Sequence, residues 1–134
     1  MARSFSSEEL LDAAREARAR AYAPYSKFSV GAAVDVGDGV IFTGANVENA
    51  AYPLSTCAER VAITQAISAG YRTLAAVAVA GPPEVWTAPC GGCRQIIAEF
   101  GSAAMVVFTG PDGVRALSIE ELLPASFGPA VLKK

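Results

Sequence analysis

Three cysteines and no histidine constrain this 134-residue chain more than anything else in its sequence. An odd count leaves one thiol over in any disulfide framework. Met1-Ala2-Arg3-Ser4-Phe5-Ser6 has no apolar export run behind it, so the expected setting is the reducing cytoplasm. Metal ligation would use all three thiols. They stand as Cys57-Ala58-Glu59 and as Pro89-Cys90-Gly91-Gly92-Cys93, each group following an apparent loop and opening an apparent helix.

The rest of the chain supports that placement. Ser6 with Glu9 has the form of a capping box, Leu10, Leu11, Ala14, Ala17 and Ala21 recur at helical spacing, and this helix is predicted to end near Ala23, before Pro24. Phe28 to Val36 alternates as a strand, and Gly37-Asp38-Gly39 turns the chain into a second strand from about Val40. Residues 57–69 are apolar on nearly every side, as in a buried helix stopped by Gly70, and Leu74 to Ala80 reads as a strand covered on both faces. A helix is predicted from about Gly91 to Gly101, a strand over Met105 to Thr109 and, after a turn, a short strand over Val114 to Leu117; Ser118 and Glu121 then cap a last short helix. This order predicts one domain over residues 1–134, a three-layer α/β/α sandwich around one mixed sheet of about five strands.

Composition excludes two classes of partner. Apolar residues make up 52% of the chain, but in segments shorter than the roughly 20 residues that cross a bilayer, so burial between subunits is the expected outlet rather than lipid. Net charge is −2 with no dense basic stripe, which speaks against nucleic acid. The basic run from Arg15 to Arg20 closes a segment opened by Glu8 and Glu9, the charge order that a solvated helix favours.

The chemistry lies in the cysteines. A helix N-terminus directs unpaired N–H groups and positive dipole outward, favouring the thiolate a metal needs. Cys90 and Cys93 are one helical turn apart, so both sulfurs reach one ion, and Cys57 as third ligand leaves the fourth tetrahedral position open for catalysis. Glu59, in the first turn, can bend back over the helix end as a general base. Alternative readings are a thioredoxin-like redox pair, a closed structural site completed by a carboxylate, and inert buried thiols. The first leaves Cys57 and Glu59 without a role, and the second lacks a fourth cysteine or any histidine. Three cysteine ligands, a glutamate that is not a ligand and a downstream Pro-Cys-x-x-Cys form the pattern of zinc deaminases. Three thiolates weaken a zinc ion's power to acidify water. Arg60, and Gln95 as a second donor, would offset this by hydrogen bonds to the sulfurs, or else serve as ordinary surface groups.

With these residues in place the chain resembles the small homotetrameric cytidine deaminases. The likeness runs through Tyr22-Ala23-Pro24-Tyr25-Ser26-Lys27-Phe28, Val30-Gly31-Ala32-Ala33 and Asn46-Val47-Glu48-Asn49-Ala50-Ala51-Tyr52-Pro53. It continues in Thr56-Cys57-Ala58-Glu59-Arg60, Pro89-Cys90-Gly91-Gly92-Cys93-Arg94-Gln95, Leu122-Leu123-Pro124 and Phe127-Gly128-Pro129. The resemblance implies one zinc per subunit and a homotetramer with active sites near subunit interfaces. It implies that Phe28 stacks on the pyrimidine, that Asn46 and Glu48 bind the ribose 3′-hydroxyl, that the Ala58 N–H and the Cys90 backbone read the base edge, and that Tyr52 and Phe127 build sites at subunit boundaries. From the residues alone, Phe28 is equally the first core residue of a strand, and Asn46 and Glu48 are equally loop residues.

The implied reaction is hydrolytic deamination of cytidine and deoxycytidine in pyrimidine salvage. Glu59 would take a proton from water at the metal's open position, direct attack on C4 of cytosine, and return protons to N3 and the leaving amine. A carboxylate facing the sugar favours nucleosides over phosphorylated substrates. Two rivals stay open at this level: deamination of a cytosine-containing antibiotic such as blasticidin S, and a zinc-stabilised interaction module without catalysis.

Overall fold

Two serine caps bracket the fold. Ser6 accepts the Glu9 N–H (3.1 Å) while the Glu9 carboxylate accepts the Ser6 N–H (3.0 Å), and Ser118 with Glu121 repeats the exchange at 3.2 and 2.9 Å. In the computed structural model, which describes residues 4–132, the elements run α1 (Ser7–Arg18), β1 (Gly31–Asp35), β2 (Ile41–Ala45), α2 (Ala58–Ser68), β3 (Ala76–Ala80), α3 (Gly91–Phe100), β4 (Met105–Gly110), β5 (Gly113–Ser118), α4 (Ile119–Leu122) and α5 (Pro129–Leu132). A 3-10 turn at Tyr52–Leu54 interrupts the loop before α2. Met1–Arg3, the start of the stretch read for an export signal, lie outside the described residues. Among those described, no helix is long and apolar enough to cross a membrane.

The five strands form one mixed sheet in the order β2-β1-β3-β4-β5. β1 is antiparallel to both neighbours, β3 and β4 are parallel, and β5 returns antiparallel to β4. The two faces differ as strand alternation requires. Ala33, Ala78, Ala80 and Val107 meet Leu10, Leu11 and Ala14 of α1. Ala32, Val34, Val77, Val79, Val106 and Phe108 meet Ile63 of α2 and Ile97 of α3 on the other side. Small residues on the first face let α1 lie close, and full burial of each Val, Leu or Ile is worth about 1.5–3 kcal/mol.

This topology creates the site. β2 and β3 run in the same direction on either side of β1, so the chain leaves both at the same end of the sheet. α2 follows β2, α3 follows β3, and both lie on one face. Their N-termini therefore meet over the start of β1, at Gly31.

Two boundaries differ from the sequence expectation by three residues or more, and β3 begins at Ala76 rather than Leu74. α1 ends at Arg18, not near Ala23: the Arg18 guanidinium Nε donates to the Ser29 carbonyl (2.8 Å), and the following chain turns so that Tyr22 bridges Val47. β1 begins at Gly31, not Phe28. The Asn46 side chain takes the place of a strand partner there, accepting the Val30 N–H (2.9 Å) and donating to the Phe28 carbonyl (2.8 Å).

Candidate metal and catalytic site

Cys57 and Cys90 are the N-cap residues of α2 and α3, both with extended backbone, and Cys93 sits in the first turn of α3. The Cys90 sulfur accepts the Cys93 N–H at 3.5 Å, so it caps the helix as an oxygen ordinarily does. Cys57 makes no such cap; its sulfur lies 3.9 Å from that of Cys90. All three sulfurs fall within 4.8 Å of one another. A tetrahedral zinc with Zn–S near 2.3 Å holds its sulfurs about 3.8 Å apart, so the cluster fits that ion with little adjustment.

Electrostatics point the same way. The Cys93 thiol, donating to Cys57, holds the Cys57 thiol down at about 6; partial burial opposes the shift, and Cys90 and the Arg60 charge add to it. Cys93 is pushed up in turn because it must keep the proton it donates, with burial and the Glu59 carboxylate reinforcing the rise. Without a cation the cluster cannot ionise completely. A divalent ion removes that conflict.

Glu59 is almost completely enclosed, second in α2. Burial pushes its carboxyl up to about 7, and the adjacent Cys57 thiolate adds to the rise, against hydrogen bonds with its own backbone and with Cys93. A carboxyl poised near neutrality can both accept and donate a proton. Its position depends on Gly44 of β2, where α2 touches the sheet. A Cβ there would stand 2.7 Å from the Ala58 carbonyl oxygen and 2.7 Å from the Ala62 nitrogen.

A cleft of about 310 Å³ opens onto the thiols, lined by Cys57, Arg60, Cys90, Gly92, Cys93, Gln95 and Ile96. Arg60 acts on Cys57 through its charge. The Gln95 amide, expected as a donor to sulfur, donates instead to the Phe127 carbonyl (2.8 Å) and so ties α3 to the C-terminal segment. Sequence reasoning gave Arg94 no role of its own, yet its Nε donates to the Pro89 carbonyl and another guanidinium nitrogen to the Leu122 carbonyl, both at 2.8 Å. Its place four residues after Cys90, on the same helix face, was the available signal.

The other predicted residues gather on a small ladder beside the thiols. Val47 pairs with Thr56, next to Cys57, and also bridges Tyr22. This brings the 22–28 and 46–48 segments to the end of α2. The Glu48 carboxylate accepts the hydroxyl and N–H of Ser26 and the N–H of Tyr25, which hold it below the usual carboxylate range. Phe28 is exposed, and its N–H donates to the Ser26 hydroxyl (3.0 Å). Glu48, Tyr25, Ser26, Tyr52 and Ser55 line a second hollow of about 400 Å³. Tyr52 is 70% exposed, its ring edge-on to Tyr25 at 6.1 Å, and Phe127 lies at the surface. Ala58 is buried at the first position of α2.

Convergent thiols at two helix ends, with a buried carboxyl whose pKa is pushed up to about 7, fit a hydrolase built around a single metal. Comparison with known proteins narrows the class. Residues 5–109 match the cytidine and deoxycytidylate deaminase zinc-binding region, and the chain belongs to that family. It is 45% identical over 122 residues to the cytidine deaminase of Sporosarcina psychrophila, covering 90% of each chain. The crystal structure of cytidine deaminase from Burkholderia pseudomallei superimposes with a TM-score of 0.87 at 48% identity, over 92% of this chain and all of that one. The Mycobacterium tuberculosis cytidine deaminase structure gives 0.81 at 38% identity, over 93% and 99%. The family's metal is zinc, and Cys57, Cys90 and Cys93 form a group able to hold it, so the redox-pair and non-catalytic module readings fall away.

Proposed function

We propose that the protein hydrolytically deaminates cytidine and deoxycytidine to uridine and deoxyuridine, releasing ammonia for pyrimidine salvage. The observation that carries this is the meeting of three sulfurs with buried Glu59 in a chain of the deaminase family. Zinc held by the three cysteines would supply Lewis-acid activation of water at an open fourth position. Glu59 accepts one proton of the attacking water and passes it to N3, then takes the second from the hydroxyl now on C4 and passes it to the 4-amino group, which leaves as ammonia. Its raised pKa suits both directions of transfer.

Phe28 stacks on the base, and Asn46 with Glu48 holds the ribose 3′-hydroxyl. Both retain capacity for it: one Asn46 amide hydrogen, and one of the roughly four acceptor positions of the Glu48 carboxylate, are left by the bonds described above. The Ala58 N–H at the α2 terminus and the Cys90 backbone read the base edge. Tyr52 and Phe127 close sites shared between subunits of a homotetramer. The exposed apolar side chains Tyr52, Leu54, Phe127, Val131 and Leu132 support that assembly, since subunit contact would take them out of water. Three free thiols suit a cytoplasmic location.

Incubation of zinc-loaded protein with cytidine, followed by loss of cytosine absorbance, tests the activity. Turnover by the parent and none by Glu59→Gln is the expected result. No turnover of cytidine by a folded, zinc-loaded parent would sink the proposal and direct the search to cytosine-containing antibiotics. Light scattering tests the tetramer, which a monomer at working concentration would contradict.

A further inference from the structure

The segment between β3 and α3 carries two of the three metal ligands, and its anchoring is unequal. Gly81 donates its N–H to the Thr109 hydroxyl (3.1 Å), and the Thr87 N–H donates to the Thr109 carbonyl (2.9 Å), so both ends of the loop are pinned to one residue of β4. Pro83, Glu84 and Val85 between them are exposed. Trp86, the single tryptophan of the chain, is the side chain that turns this loop back onto the protein. Its ring stands edge to face with Phe108 at 6.1 Å and 84°, and the Arg115 guanidinium lies 4.2 Å from its centre. Phe108 and Arg115 are cross-strand partners of β4 and β5. Gly110, the next residue on the same face of β4, leaves room for the indole; a Cβ there would come within 2.1 Å of it.

We propose that Trp86, clamped between the β4–β5 hairpin and Arg115, is a positioning residue that keeps Cys90 and Cys93 in register with Cys57 and so sets how firmly zinc is retained. Cys57 is fixed by α2 and β2, whereas Cys90 follows Trp86 by four residues and depends on this loop for its place against Cys57. The hydrogen bonds at Thr109 fix the loop's course, and the indole fixes its height over the sheet. Aromatic pairs and cation–π contacts of this kind are strong enough to matter, and Arg115 sits exposed on β5 where it can be replaced without opening the core.

The test reads metal retention rather than turnover. Zinc release from the loaded protein to excess chromogenic chelator should be about tenfold faster in Trp86→Ala, equivalent to about 1.4 kcal/mol. Arg115→Ala should release it about threefold faster, with Arg115→Lys near the parent because a lysine can also lie over the ring. Chelation in the parent should change the emission of Trp86, which does not line the cleft at the thiols. Thermal melting of the metal-free forms separates positioning from general stability, and Arg115→Ala carries the test if Trp86→Ala fails to fold. Release from Arg115→Ala at the parent rate, release rates that merely follow metal-free melting temperatures, or unchanged Trp86 emission on chelation would each overturn the proposal.

Discussion

Replacing Gly44 by alanine adds one methyl group at the point where β2 supports α2, and its consequence can be worked out from distances. The new carbon would stand 2.7 Å from the Ala58 carbonyl oxygen, 2.7 Å from the Ala62 nitrogen and 2.9 Å from the Val61 Cβ. Two of these are helix backbone atoms, which no rotamer change moves. Ordinary contact begins at 3.4 Å, so α2 must retreat by about 0.7 Å at its first turn, taking Cys57 and Glu59 with it. Overpacking of this kind costs about 1–3 kcal/mol of stability. Misplacement of catalytic groups by about 1 Å costs roughly a hundredfold in rate, so kcat/KM for cytidine should fall roughly ten- to a hundredfold. The assay is cytosine absorbance with zinc content measured on the same sample. Gly92→Ala is the control: it adds the same methyl to the other ligand-bearing helix, with only the Cys90 sulfur at 4.0 Å as a neighbour. That variant should melt at or above the parent temperature because alanine is the better helix former. A Gly44→Ala protein with parental kcat/KM and melting temperature would refute the account of how β2 places the site.

Other expectations follow from the same geometry. Glu59→Gln should keep zinc and lose turnover. In the metal-free protein it should also raise stability above pH 7, because the buried carboxyl is penalised once charged. A rise from 4.5 to about 7 is worth at most about 3 kcal/mol, absent below pH 4.5 and complete above 7, so melting curves of the two forms should converge in acid and separate in base. Glu48 has the opposite sign. Its lowered folded pKa contributes stability above the usual carboxylate pKa that disappears as pH falls through the folded value, so Glu48→Gln should flatten the acid limb of the melting-temperature profile. Arg94→Ala leaves the Pro89 and Leu122 carbonyls without their guanidinium donor, at a cost of about 2 kcal/mol, and should lower the melting temperature by roughly 4–8 °C; lysine, lacking the fork, should not rescue it.

What the sequence made legible was local. Ser6 with Glu9 and Ser118 with Glu121 specify their helix starts within four residues, and Cys57 and Cys90 mark two more because each begins a helical pattern after a loop. The alternation from Phe28 to Val36 placed β1 for the same reason, apart from its start. Long-range contacts were not legible. The end of α1 is decided by Arg18 reaching Ser29 and by Tyr22 pairing with Val47, and the start of β1 by an asparagine side chain 16 residues beyond Val30. Gln95 likewise turns to Phe127, a partner 32 residues away. Trp86 carries no motif, and its meaning arises only when Gly110 and Arg115 are folded beneath and beside it.

Because β1 separates the two strands that lead to the ligands, the third sulfur arrives late in the life of the chain. During synthesis the hairpin and α2 can form while Cys57 has no partner, for Cys90 lies 33 residues further on and needs β3 paired to β1 before it can approach. A nascent chain stopped before Cys90 therefore presents a single thiol, too little to hold zinc against the cell's own thiols. Loading is thereby tied to the pairing of β3 with β1, and shorter ribosome-bound fragments compete poorly for a scarce metal.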